Sequence, residues 1–164
     1  MNQIGQQFRL SIFGESHGPK VGVSIDGIPP GIALDVDDFS NDLQRRRTGG
    51  TGTSTRLESD QPEIISGHFN GFTTGAPLTI IFTNESQKST DYSFVKNSPR
   101  PGHADFVADR KYRGFEDYRG GGHFSGRLTL CLVASGVIAK KILSSCHFSA
   151  KVIEIGGNAD TEEG

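Results

Sequence analysis

The chain has 164 residues, of which 34% are hydrophobic and 22 are glycine. Its 17 basic and 19 acidic side chains leave a net charge of −2, which excludes the strong positive field expected of a protein that binds nucleic acid or an anionic membrane through its overall charge. Glycine is about twice as frequent as its usual ~7% and lacks the strict period of collagen, so we expect tight turns or close approach of the backbone to a ligand.

The cysteine content and the N-terminal sequence favour a cytoplasmic protein. Cys131 and Cys146 are too few for a disulfide framework or a four-cysteine zinc site. Segment 1–7 lacks a basic region followed by an apolar core, so no secretory signal is predicted. The longest nearly uncharged apolar run, 128–139, is shorter than the ~20 residues of a membrane-spanning helix. We therefore expect a soluble protein in a reducing cytoplasm.

The first part of the chain predicts two strands and an amphipathic helix. Segments 8–13 and 21–25 have strand character, and valine and isoleucine alternate with smaller residues in the second segment. Asp35 can cap a helix whose apolar positions recur at helical spacing, and three arginines, 45–47, fall in its last turn. Residues 48–55, rich in glycine, threonine and serine, are predicted to form a loop.

The rest of the chain predicts further strands around one long helix. Segments 63–69 and 77–83 are strand candidates joined by a turn. Residues 84–122 show little periodicity and predict a loop that is too long to be an idle connection. A helix from about 125 to 144 is apolar on nearly every face, which is typical of a buried helix. A last strand is predicted at 151–155, followed by an acidic, glycine-rich end.

The order of these elements predicts the fold class. Strands and helices do not alternate in the manner of a doubly wound sheet, so the pattern favours an α+β fold with antiparallel strands packed on a buried helix. The length corresponds to about one domain, and we expect 1–164 to be a single domain or the N-terminal half of a longer one.

The strongest candidate for ligand binding directly precedes the long helix. The segment 119–127 reads RGGGHFSGR, in which three glycines let backbone N–H groups converge before a helix N-terminus. The flanking Arg119 and Arg127 favour an anion such as phosphate. A flexible turn that merely begins a helix remains the alternative.

The three arginines 45–47 permit two interpretations. Cations at a helix C-terminus are favoured by the helix dipole and are often simply solvated. The small polar residues that follow them could supply further hydrogen-bond donors to an anion.

Two of the five histidines are candidates for acid–base chemistry. His17 and His103 lie on glycine-rich turns, where an imidazole could act as a general acid near neutral pH, although an isolated loop histidine is more often solvated. His68 and His147 have no comparable neighbours, and we interpret both as structural.

Two other chemistries fit these turns less well. Glu15 with His17, or His103 with Asp105, could contribute to a metal site, but their spacing matches no dedicated metal motif, and no metal is predicted. Residues 14–18 read GESHG and match the G-x-S-x-G pattern of serine hydrolases. That pattern requires a turn from a strand into a helix, whereas here a second strand follows.

Several motifs taken together resemble the chorismate synthase family. In chain order they are GESHGPKVGVSIDGIPPG at 14–31, LQRRRTGG at 43–50, ISGHFNGFTTGAPLTIIFTN at 65–84, DYS at 91–93, RPGHAD at 100–105 and DYRGGGHFSGRLTLCLVASGVIAKK at 117–141. The resemblance covers most of the chain and implies that the fold is part of the family's β-α-β sandwich.

The resemblance also implies an activity. The family is a lyase of the shikimate pathway, which leads to aromatic amino acids, and it converts 5-enolpyruvylshikimate-3-phosphate to chorismate and phosphate. The reaction is a 1,4-anti-elimination that requires reduced FMN without net oxidation. Members are cytoplasmic homotetramers, so the partners implied are a small-molecule substrate and further copies of the same chain.

Residue roles follow from the same resemblance. His17 would act on the departing phosphate and His103 near N1 of the reduced flavin. The substrate's phosphate and carboxylates would be held by Ser16, Arg46, Arg47, Ser125 and Arg127. The residues expected to contact FMN are His123, Phe124 and Ser125.

The sequence also departs from the family pattern. Many members have Arg-Ser-Ser-Ala-Arg where this chain has His-Phe-Ser-Gly-Arg at 123–127, a form similar to that of a bacterial subgroup. Thr48 stands where proline is usual, and the loop after it lacks further arginines, which leaves NADPH doubtful as a source of electrons. Family members are roughly twice as long. The chain alone is therefore expected to be inactive, and the alternative is a non-catalytic fragment that binds flavin or phosphate.

Overall fold

The computed structural model describes residues 2–47, 58–85, 92, 94–96 and 98–159. The predicted loop 48–55 and the final residues 160–164 lie outside the described residues.

Nine strands and three α-helices make up the described chain. The strands are β1 (Gln3–Ile4), β2 (Arg9–Gly14), β3 (Lys20–Asp26), β4 (Glu63–Ser66), β5 (His68–Phe69), β6 (Phe72–Thr73), β7 (Leu78–Thr83), β8 (Glu154–Ile155) and β9 (Asn158–Ala159). The α-helices are α1 (Ser40–Arg46), α2 (Asp105–Tyr112) and α3 (Thr129–Ile142). Short 3₁₀ helices span Val36–Phe39, Arg119–Phe124 and Gly126–Leu128.

The main sheet is antiparallel and has the strand order β1-β2-β3-β7-β4. β3 lies at its centre, and its alternating residues Val21, Val23 and Ile25 are fully buried. Alternation places these side chains on one face, which is what the sequence pattern predicted. The predicted strands 8–13 and 21–25 are confirmed, and the mixture of helices with an antiparallel sheet confirms the α+β class.

Helix α3 packs on the buried face of this sheet. Its residues Leu130, Cys131, Ala134 and Ile138 have at most 1% of their surface exposed and belong to the same apolar core as β3 and β7. Leu132, on another side of the helix, is 42% exposed. The prediction of a buried helix is therefore confirmed for one face, whereas burial on nearly every face is wrong for the described chain.

The predicted capped helix is also confirmed. The Asp35 side chain accepts a hydrogen bond from the backbone N–H of Asp37 at 3.0 Å, and the Asp38 side chain accepts one from the backbone N–H of Asp35 at 2.7 Å, which is a capping box. The first turn is a 3₁₀ helix that continues into α1. Phe39 and Leu43 bury its apolar face against α3.

The predicted strand 63–69 is divided in two. Gly67 has a φ of +75°, and a Cβ there would lie 2.5 Å from the Cα of Leu78, so the chain turns where only glycine fits. β4 joins the main sheet before this turn, and β5 pairs with β6 in a separate hairpin after it.

Two other predictions need correction. The predicted loop 84–122 contains helix α2. Ala108 is the one buried residue of this helix, and its larger apolar residues Phe106 and Val107 are exposed, so its sequence shows little apolar periodicity. The predicted strand 151–155 is reduced to the short, exposed β8, which pairs with β9.

One helical segment, Arg119–Ile142, has the length and composition that could cross a membrane, and half of the window concerned is buried in the protein. Its first part contains three glycines with non-helical dihedrals. The regular helix α3 has 14 residues, or about 21 Å, which is shorter than the ~30 Å hydrocarbon core of a bilayer. We therefore interpret it as the core helix of the fold.

Candidate active site

The three glycines before α3 form a turn that holds both candidate histidines. Gly120, Gly121 and Gly122 have φ values of +58°, +83° and +53°, which disfavour any other residue. A Cβ on Gly120 would overlap the ring of His17, and a Cβ on Gly121 would lie 2.6 Å from Cε1 and 2.7 Å from Nε2 of His103. The imidazoles of His17 and His103 therefore pack against two adjacent glycines, Gly120 and Gly121. We call His17, His103 and Gly120–Gly122 the histidine turn.

His17 lies on the connection between β2 and β3. The backbone N–H of Ser16 donates to the carbonyl of Gly122 at 3.0 Å, which joins this connection to the glycine turn. Both Ser16 and His17 are at least 95% buried. The ring of Tyr92 meets the His17 ring edge-on, with 5.0 Å between centroids. A buried imidazole held in this way is fixed in orientation, as a positioned acid or base must be.

His103 is held by two charged residues of its own motif. Its Nδ1 lies 2.5 Å from Oδ1 of Asp105, the first residue of α2. Arg100 donates two hydrogen bonds to the same carboxylate, from Nε to Oδ2 and from a terminal nitrogen to Oδ1, both at 2.8 Å. The guanidinium also lies over the ring of Tyr92, 5.7 Å from its centroid. Tyr92 thus contacts His17 and also contacts Arg100, which binds the carboxylate beside His103.

Arginines keep two carboxylates beside the histidine turn, those of Asp105 and Asp117, ionised. Hydrogen bonds from the Arg100 side chain hold the pKa of Asp105 far below its usual value. Asp117 accepts two hydrogen bonds from Arg119, at 2.7 and 2.8 Å, and these lower the pKa of Asp117. The site is therefore built from compensated charges.

Two predicted substrate-binding arginines meet at one buried carboxylate. Asp60 forms an ion pair with Arg127, and its other oxygen lies 3.2 Å from a terminal nitrogen of Arg46. The side chains of Asp60 and Arg127 are 4% and 5% exposed, and that of Arg46 is 17% exposed. We call these three residues the arginine cluster. Burial lowers the pKa of Arg46.

Asn84 connects the arginine cluster to the histidine turn. Its Oδ1 accepts a hydrogen bond from Nε of Arg127 at 3.0 Å. Its Nδ2 donates to the carbonyl oxygens of Glu15 and Gly18, at 3.1 and 2.7 Å, on either side of His17. The arginine cluster and the histidine turn are thus linked through the amide side chain of Asn84.

The remaining predicted binding residues have structural contacts of their own. Arg47 donates twice to the carbonyl of Glu58, at 2.8 and 3.1 Å. The hydroxyl of Ser125 accepts a hydrogen bond from the backbone of Arg127 at 3.3 Å and so caps the 3₁₀ helix before α3. His123 contacts the carbonyl of Gly14 through Nδ1 at 3.0 Å.

A cavity of about 470 Å³ opens beside the histidine turn. Gly121, His123 and Phe124 line it, and its volume is within the range of small-molecule sites. Aromatic rings form much of its wall, and the ring of Phe124 lies 6.0 Å from that of Tyr112. Further residues of the wall are Phe13, Glu15, Lys96, Asp105, Asp109, Phe115, Glu116, Asp117 and Tyr118.

The residues that line the cavity can be compared with the chemistry of a flavin. Its aromatic side chains suit a planar ring system, and Oε2 of Glu116 is buried with no hydrogen-bond partner among the described residues, so it could accept from an N–H or O–H group. Lys96 is the one cation among the described residues of the wall, against five carboxylates. The cavity therefore fits a flavin ring better than it fits a flavin phosphate.

Several residues of the site were missed in the sequence analysis. Arg100 precedes His103 within RPGHAD and Asp117 lies two residues before Arg119, so a search for acid–base pairs around each glycine turn could have found both. Asp105 was considered only as a possible metal ligand beside His103, and its ion pair with Arg100 was not predicted. Asp60 gives no such signal, because its partners lie 14 and 67 residues away. Within the described ranges, the His, Cys, Asp and Glu side chains form no group of three or more that could hold a metal ion.

The family model of chorismate synthase matches residues 8–163. Chorismate synthase of Chitinophaga pinensis is 60% identical over 165 residues, which cover 100% of this chain and 50% of that protein. Those of Thermococcus gammatolerans and Aeropyrum pernix are 50% and 49% identical, over 85% and 95% of this chain and 39% and 42% of their own lengths.

The likeness extends to a solved structure. A crystal structure of chorismate synthase superposes with a TM-score of 0.60 at 27% identity, covering 85% of this chain and 34% of that one. The chain spans half or less of the length of these relatives. Because the match to the family model extends over nearly all of its residues, the chain belongs to the chorismate synthase family.

Proposed function

We propose that this chain supplies the histidine half of a chorismate synthase active site, which converts 5-enolpyruvylshikimate-3-phosphate to chorismate and phosphate by 1,4-anti-elimination. The observation that carries the proposal is the histidine turn, in which two imidazoles are held against Gly120 and Gly121 beside a cavity of ligand size. Two positioned imidazoles in one site suit a reaction in which one anion leaves while charge develops elsewhere.

His17 is proposed to act on the departing phosphate. Its ring is 95% buried and fixed between Gly120 and Tyr92, so little reorganisation is needed when it donates a proton or a hydrogen bond. Ser16 lies beside it, and we propose that its hydroxyl helps to bind the same group.

The arginines are proposed to hold the substrate's phosphate and carboxylates. Arg46 donates from Nε to Thr129 and from its terminal nitrogens to Asp60 and Gly126, which uses three of its five N–H groups in the described chain. Arg47 contacts the carbonyl of Glu58 through Nε and one terminal nitrogen, and we propose that its other terminal nitrogen contacts the substrate. Arg127 and Ser125, whose contacts lie within the protein, would contribute by fixing this arrangement and the potential around it.

Reduced FMN is the cofactor we propose for this site. When bound, it supplies electron density that assists departure of the allylic phosphate. His123 and Phe124, which line the aromatic cavity, would hold it together with the adjacent Ser125, and His103 would hold a proton near its N1 position. The carboxylate-rich wall predicts that cations for the flavin phosphate come from elsewhere in the protein.

The chain covers half or less of its relatives, so we propose that it acts as part of a longer, cytoplasmic, homotetrameric protein. The 164 residues alone are expected to be inactive and to bind FMN weakly, because the apolar side chains of Leu132 in α3 and Leu143 just after it are exposed. The second candidate function is a fragment that binds flavin or phosphate without catalysis. The aromatic lining of the cavity supports this second candidate, because it suits a flavin ring whether or not catalysis follows.

Anaerobic assays with chemically reduced FMN test both proposals. The full-length protein should form chorismate and phosphate in equal amounts, and residues 1–164 should form neither. Binding of FMN by the full-length protein without any product would support the second candidate. Turnover by a soluble monomer of residues 1–164 would contradict the requirement for the remaining part.

A further inference from the structure

We propose that Asp105 is a positioning residue that fixes the tautomer of His103, with the proton on Nδ1 and the lone pair on Nε2. The tautomer itself follows from geometry, and its catalytic consequence rests on the proposed function. Nδ1 lies 2.5 Å from Oδ1 of Asp105. An ionised carboxylate can only accept hydrogen bonds, so the nitrogen that faces it must carry the proton.

Asp105 is held more firmly than a single hydrogen bond would hold it. Arg100 approaches its carboxylate with two side-chain N–H groups at 2.8 Å, and the backbone N–H of Arg100 adds a third contact at 3.0 Å. The carboxylate also lies in the first turn of α2, where the helix dipole favours a negative charge. The Asp105 side chain is only 7% exposed. These contacts keep the carboxylate ionised and in one rotamer.

The Cε1–Nε2 edge of the imidazole faces the glycine turn. A Cβ on Gly121 would lie 2.6 Å from Cε1 and 2.7 Å from Nε2, so this edge approaches Gly121 more closely than any other residue type would allow. A terminal nitrogen of Arg100 lies 3.2 Å from Nδ1 and 3.4 Å from Nε2, so it does not distinguish the two nitrogens, and the 2.5 Å approach of Nδ1 to Oδ1 of Asp105 is the contact that does. Asp105 thus determines which nitrogen of His103 can take up a proton beside the turn.

The tautomer can be read directly by ¹⁵N NMR of the full-length protein labelled at its histidines, without a cofactor. His103→Gln assigns the signals of this ring by their loss. In the parent protein at a pH where the ring is neutral, we expect a protonated Nδ1 and an unprotonated Nε2. A protonated Nε2 in the parent overturns the proposal, and this measurement requires no variant of Asp105 to fold.

Asp105→Asn is the informative substitution, because the Asn amide can donate to Nδ1 and so favours the other tautomer. Asp37→Asn is the matched control, since Asp37 is also an aspartate in the first turn of a helix, is exposed and lies outside the lining of the cavity. We expect Asp105→Asn alone to move the proton to Nε2. An unchanged tautomer in a folded Asp105→Asn protein overturns the proposal.

Kinetics separate this proposal from the proposed function. If both hold, Asp105→Asn lowers kcat by at least about tenfold with little change in KM, as for other residues that orient a catalytic imidazole, and Asp37→Asn leaves kcat within about twofold. A changed tautomer with unchanged kcat in a protein that forms chorismate overturns the catalytic consequence. A changed tautomer in a protein that forms no chorismate contradicts only the proposed function.

Discussion

The histidine turn and the arginine cluster were both predicted to act on an anion, yet they are built in different ways. In the histidine turn, glycines bring the backbone against two imidazoles beside an open cavity. In the arginine cluster, Asp60 lies between Arg46 and Arg127 and compensates their charges in a buried position. The comparison indicates that the glycine turn opens on a cavity of ligand size through Gly121, whereas in the arginine cluster a carboxylate of the protein already compensates both cations and joins α1 to the 3₁₀ helix before α3.

The largest effect is expected from the two histidines. His17→Ala and His103→Ala in the full-length protein should each lower kcat by about 10²- to 10⁴-fold, the usual contribution of a positioned acid or base. His68→Ala and His147→Ala should have little effect, because His68 contacts the carbonyl of Leu34 and His147 is exposed. Steady-state turnover measures all four. Similar losses in all four variants would contradict the distinction.

The next effect tests the arginine cluster. Asp60→Asn leaves two buried guanidinium groups without their carboxylate, which should lower the free energy of unfolding by about 3–5 kcal/mol. Asp42→Asn is the control, because Asp42 pairs with Lys140 at a half-exposed position and should change stability by less than about 1 kcal/mol. Urea denaturation measures both. Equal losses would show that burial of the cluster does not determine its contribution.

The contrast between these groups also explains what could be predicted from the sequence. β3 was predicted because Val21, Val23 and Ile25 follow the period of a strand with one buried face, and the helix was predicted because Asp35 can cap it and its apolar residues recur at helical spacing. These signals are local. The histidine turn was found because glycine runs are visible in a sequence, although the packing of His17 and His103 on neighbouring glycines was not.

The missed features depend on distant contacts. Asp60 lies next to Arg127 only after β7 and α3 have packed, and no spacing between the two reveals it. Helix α2 was missed because its exposed Phe106 and Val107 and its single buried Ala108 give no helical period. Gly67 divided a predicted strand because its neighbour Leu78 lies on another strand.

A smaller effect is expected from filling the glycine turn. Gly121→Val places a branched side chain against His103 at a φ of +83°, which should cost about 1–3 kcal/mol of stability and weaken FMN binding. Gly126→Ala is the control, since a Cβ there meets no atom within 4 Å. Titration of both full-length variants with FMN measures the effect. Equal affinities in folded proteins would remove the turn from the flavin site.

The smallest effect concerns the ion pair beside the glycine turn, between Asp117 and Arg119. Because hydrogen bonds from Arg119 lower the pKa of Asp117, ionisation of this carboxylate stabilises the folded state above the unfolded pKa of about 4, and that contribution is lost as the pH falls further. Arg119 is 39% exposed, so Asp117→Asn should lower the free energy of unfolding by no more than about 1 kcal/mol at pH 7. The difference between parent and variant, measured by urea denaturation from pH 7 to pH 3, should stay constant to about pH 4 and then shrink. A difference that grows in acid would mean that protonated Asp117 is the stabilising form, which would reverse the charge assigned to this side of the histidine turn.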